Sequence, residues 1–184
     1  MALLIASNVL VLVLALVQKW NVADLIWIYW FQSVFIGFFT VVNIVLLKNP
    51  AQLAAHPVGW VLILFYKLFV AGFFALHFGG FHTIYAVFLK DLIPAPSPDI
   101  VLVGAAIFLI EQWIDFVIRW FKHRLPFTEG GELFTMPYAR IIPMHFVIFL
   151  LAIFYTKMPQ VVMIGFLILR TIMDVVSNDK TSKA

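Results

Sequence analysis

Cysteine is absent from this chain. That removes disulfides, thiolate metal sites and cysteine nucleophiles together, so any metal chemistry would rest on His, Asp and Glu. Charge is scarce as well: 11% of the 184 residues are Asp, Glu, Lys or Arg, against 64% from the hydrophobic set, with a mean hydropathy of +1.06. This balance excludes an ordinary soluble domain and predicts an integral membrane protein. No basic run interleaved with aromatics lies in a hydrophilic segment, so nucleic acid is not an expected partner. The patterns His-Glu-x-x-His and Gly-x-Ser-x-Gly and a glycine-rich phosphate loop are all missing, and only Ser33 among the serines lies well inside an apolar run. Metalloprotease, serine-hydrolase and nucleotide-hydrolysing chemistry therefore find no support, and a non-enzymatic role is the expectation. The net charge of +3 is what loop anchoring at a membrane surface demands, without an acidic partner.

What the chain does contain is long apolar runs. A spanning helix needs about 20 mostly apolar residues, and six stretches reach or approach that length: roughly 2–18, 25–47, 58–89, 100–121, 136–155 and 158–176. The expected fold is all-α, a polytopic transmembrane bundle of about six spanning helices, forming one domain over residues 1–184. Ala2 to Val17 reads as the first span and not as a signal peptide, because no basic residue precedes it and no small-residue cleavage site precedes "QKW". The third run is too long for an untilted span, which predicts either tilt or a break at Gly79-Gly80, where helix propensity is weakest. "KNPAQLAAHP" and "PAPSP" are turn-rich linkers, and "HRLPFTEGGELFTMP" is the one hydrophilic loop of any size. A loose three-plus-three symmetry is the most that internal repetition offers.

With six spans both termini share a side. That side carries Lys48, Arg119, Lys122, Arg124, Lys180 and Lys183, against Lys19, Lys90 and Lys157 on the other. The positive-inside rule then puts both termini in the cytoplasm, and Trp27, Tyr29 and Trp30 mark the outer interface.

Helical rise sorts the intramembrane polar groups by depth. Lys67, Glu111, His145 and Arg170 fall about 12–14 Å from the cytoplasmic edge, and Asp115, Arg140 and Asp174 about 6–8 Å. Apart from His145 these groups balance in charge, which a paired network in a low-dielectric layer needs. Glu111, Asp115 and Arg119 share a helical face, as do Arg170 with Asp174 and Tyr138 with His145. An architectural network and a proton path are both compatible with such a layer.

Two histidines interrupt the third run, and they lie about 140° apart around a helix axis, so an unbroken helix cannot turn both toward one site. His77 is the deeper, on a face continued by Phe81 and roughly by Tyr85, and a cross-helix hydrogen bond to Gln32 or a backbone carbonyl is the structural expectation for it. His82 is expected near the outer surface. The competing reading makes His77 and His145 ligands of a metal, a haem or a chlorophyll-like pigment, with Glu111 or Tyr138 in support and His82, Gln32 and Tyr85 as secondary candidates.

The motifs "YWFQSVFIGFF", "HFGGF", "MPYARIIPMH" and "LRTIMD", in that order from Tyr29 to Asp174, resemble a family of uncharacterised bacterial and archaeal integral-membrane proteins, a domain of unknown function. The matched positions are Tyr29, Trp30, Gly37, His77, Gly79, Phe81, Pro137, Tyr138, Arg140, His145, Thr171 and Asp174. The resemblance implies a helical protein of a prokaryotic cytoplasmic membrane, without an established activity. This chain departs from the family pattern in carrying Tyr85 where a second histidine is usual, and Glu111-Gln112 near the place of a Ser-His pair. Both departures remove potential ligands.

Three functions are therefore expected in order: a structural, accessory or binding subunit of a larger membrane assembly or homo-oligomer; a binder of metal, haem or pigment; and a proton-coupled transporter using Glu111, Asp115 and Asp174. The lipid bilayer is a partner in all three.

Overall fold

The computed structural model describes residues 2–46 and 57–122. Four helices account for nearly all of them: α1 (Ala2–Val17), α2 (Val22–Leu46), α3 (Gly59–Leu92) and α4 (Pro98–Phe121). Three of the four, α2, α3 and α4, are long and apolar enough to cross a membrane. At 16 residues, α1 extends only about 24 Å, short of a hydrocarbon core of about 30 Å. The expectation of six spans is not supported by the described residues, and the stretches 136–155 and 158–176 lie outside them.

Local chemistry explains where each helix begins and ends. At the close of α1, Lys19 takes a left-handed conformation (φ 55°) and the Trp20 amide donates back to the Ala15 carbonyl at 2.9 Å. This is the reversal by which many helices stop. Asn21 and Asp24 then open α2 reciprocally, since Asn21 Oδ1 accepts from the Asp24 amide at 2.8 Å and Asp24 Oδ2 accepts from the Asn21 amide at 3.1 Å. The end of α3 follows from Pro94, which drives the preceding residue out of helical space: Ile93 is extended at φ −123°, ψ 153°. Ser97 stands before α4 with Pro98 in its first turn, and Asp99 and Arg119 lie in the first and last turns, each favourable to the helix dipole.

The middle position belongs to α2. Of its most apolar stretch 56% is buried, against 28% for α3 and 33% for α4; α3 and α4 each pack on it, and α1 packs on α4. One apolar core, with Val11, Ile28, Tyr29, Leu89 and Phe108, joins α1, α2, α4 and the end of α3. A second, with Ile44, Val70, Phe74, Phe78 and Tyr85, lies between α2 and α3. Two glycines set how closely the helices approach: a Cβ on Gly37 would collide with the Phe78 ring, and one on Gly104 with Ile28.

Tyr29 is 2% exposed and packs on Phe108. Its ring faces α4, and Trp27 and Trp30 are only half-buried beside it.

Candidate functional site

Aromatic rings and the His82 imidazole line the seam where α2 meets α3. Helix α3 runs unbroken through Gly79 and Gly80, so the expected break does not occur there. In hydrocarbon an opened backbone leaves groups that nothing can satisfy, and that cost exceeds the weak propensity of two glycines.

Along this continuous helix the aromatic rings fall into two columns. The first recurs every four residues, Phe65, Phe69, Phe73, His77 and Phe81, on the exposed side of α3, with centroid separations of 5.4 Å for Phe73–His77 and 5.1 Å for His77–Phe81. The second, Phe74, Phe78 and His82, faces α2, with Phe74–Phe78 at 4.9 Å and Phe78–His82 stacked at 4.3 Å. Tyr85 is buried and meets both, at 6.3 Å from Phe81 and 6.1 Å from His82. The face expected for His77, continued by Phe81 and Tyr85, is the first column.

Of the two histidines it is His82 that turns toward α2. His82 is 3% exposed, whereas His77 lies on the exposed side, and Gln32, proposed as its cross-helix partner, is wholly buried in α2. His82 Nδ1 lies 2.9 Å from the Phe78 carbonyl. A carbonyl oxygen only accepts, so in this contact Nδ1 carries the hydrogen. The backbone oxygen of His82 accepts from Trp30 Nε1 at 3.1 Å, and the two rings lie 6.3 Å apart. That bond fastens α2 to α3.

The other candidates are distributed as follows. Lys67 Nζ donates to the Val45 carbonyl at 3.1 Å, at the C-terminal end of α2, where a cation is favoured. Glu111 is buried at 5% exposure and accepts from the adjacent Gln112 Nε2 at 3.0 Å. Asp115 and Arg119 pair one turn apart at 2.6 Å, as their spacing suggests, and both are partly exposed. Tyr138, Arg140, His145, Arg170 and Asp174 lie outside the described residues. Among the described residues no three His, Asp or Glu side chains are gathered to hold a metal.

One important residue escaped sequence reasoning altogether. Asp24 is 1% exposed, and besides opening α2 its Oδ1 accepts from the Ser97 amide at 2.6 Å, across 73 residues of chain. It ties the α1–α2 turn to the start of α4. The capping half of this role was readable in "NVAD"; the long-range half has no local signal.

The chain as a whole, residues 1–184, matches a family model described as "Family of unknown function (DUF6498)". No curated protein and no solved structure matches it.

Proposed function

We propose, for a chain that belongs to the DUF6498 family of unknown function, a non-enzymatic membrane subunit that packs against another membrane protein through the outer face of α3. The observation that carries this reading is the exposed aromatic column of α3, from Phe65 to Phe81. Rings spaced every four residues form a stiff surface with few rotatable bonds, the kind enriched where proteins meet.

The test is the mass of the particle extracted from native membranes in mild detergent, with its chains identified, for the natural protein and for Phe69→Ala with Phe73→Ala. The expected result is an assembly larger than one chain that loses its companion when the rings are removed, while the thermal unfolding of the chain itself is little changed. A lone, stable monomer in both preparations would overturn the reading. Colour or metal that disappears in His77→Ala would move it to the cofactor class.

A further inference from the structure

A groove of about 430 Å³ lies between α2 and α3, walled by Trp30, Phe38, Phe74 and Phe78, with Gly79 and Thr83 along one edge. Its size falls in the range of about 300–1,000 Å³ typical of ligand sites. Small residues keep it open. A Cβ added at Gly79 would meet nothing within 4 Å, whereas at Gly37, across the groove, the Phe78 ring already fills the space.

The chemistry of the walls selects the occupant. The polar hydrogens around the groove are already given to main-chain oxygens: His82 Nδ1 to Phe78, Thr83 Oγ1 to Gly79 at 2.9 Å, and Trp30 Nε1 to His82. A ligand that only accepts hydrogen bonds would lose its hydration here and gain no donor in exchange. Depth gives the same answer. The lining runs along α2 from Trp30 to Val41, about 16 Å, and includes Val34, the middle residue of that helix. With α2 spanning the bilayer, the groove is centred in the hydrocarbon and a lipid headgroup stays about 15 Å away.

We propose that this groove is a binding site for the distal hydrocarbon of a membrane phospholipid chain, held against the Phe38, Phe74 and Phe78 rings. An unfilled groove of this kind would forfeit the dispersion contacts of its walls, and a flexible methylene chain restores them.

The probe is phosphatidylcholine brominated on its acyl chains, because bromine quenches a tryptophan it touches. The full chain is reconstituted in bilayers brominated either near the headgroup or near the chain end. The signal of Trp30 is the difference between the natural protein and Trp30→Phe. We expect Trp30 to be quenched most by chain-end bromine, and that quenching to fall several-fold in Gly79→Phe and in Ala75→Leu, each of which fills the groove. Thermal unfolding in detergent identifies the variants that fold, and either one suffices. Absence of chain-end quenching in the natural protein would mean that protein closes the groove and would overturn the proposal. Equal quenching in the natural protein and a folded variant would mean that Trp30 meets lipid elsewhere, with the same consequence.

Discussion

Asp24 shows how much one side chain can organise in a membrane bundle. Its carboxylate accepts from the amides of Asn21 and Ser97, so Asp24→Ala leaves donors of two separate turns without their acceptor. A buried donor stripped of its partner costs about 1–3 kcal/mol. Thermal unfolding in detergent should show a loss of that order for Asp24→Ala, and a smaller one for Asp24→Asn, which keeps one acceptor oxygen for Ser97. Equal losses would mean that charge matters here and acceptor geometry does not. The opposite sign is expected at Lys19, whose φ of 55° carries a left-handed cost of about 1–2 kcal/mol that glycine avoids. Lys19→Gly should raise the unfolding temperature in the same assay. The burial of His82 and the exposure of His77 also belong to this scale. The 140° between them was readable, because it depends only on spacing. Which of the two turns inward was not, because α3 is apolar on every side and gives no polar face from which to fix its phase.

Elements were far more legible than residues. All four described helices begin and end within three residues of the apolar runs, since length, Pro94, Pro98 and the Asn21 cap are local facts. Helix-to-helix distance was not legible, because it depends on which glycine meets which side chain. Gly37 faces the Phe78 ring so closely that a methyl group cannot enter unless the ring moves, whereas a Cβ on Gly72 would meet nothing within 4 Å. Overpacking typically costs about 1–3 kcal/mol, and replacing glycine in a helix by alanine gains about 0.5–1 kcal/mol where space allows. Gly37→Ala should therefore destabilise and Gly72→Ala should not. Adding Phe78→Leu to Gly37→Ala should return part of the loss, a coupling read from a double-mutant cycle of unfolding measurements. Strictly additive losses would mean that Phe78 is not what limits the approach of α3 to α2.

At the scale of the whole molecule, two contacts fix the relative directions of the helices. The Asp24–Ser97 bond brings the start of α2 and the start of α4 to one end of the bundle, and the Lys67–Val45 bond brings the first half of α3 to the opposite end of α2. Thus α2 and α4 run parallel, with α3 antiparallel between them in sequence. If these three helices cross the bilayer, Lys19 and Lys90 share one surface and Lys122 emerges at the other. The absence of cysteine makes this directly measurable, because a single introduced thiol is the only one a maleimide can find. In sealed right-side-out vesicles, an impermeant maleimide should label Lys19→Cys and Lys90→Cys, and should reach Lys122→Cys only after the membrane is opened. The positive-inside rule assigns the cytoplasm to the Lys122 side, where Arg119 adds a second cation. Labelling of Lys19→Cys and Lys90→Cys from different sides would contradict the antiparallel crossing of α2 and α3. Ala2→Cys answers the remaining question, whether α1 crosses although it extends only about 24 Å. Protection in sealed vesicles alongside Lys122→Cys means that the bilayer thins or the flanking side chains reach out to accommodate a short helix, whereas labelling alongside Lys19→Cys means that α1 enters and leaves by the same surface.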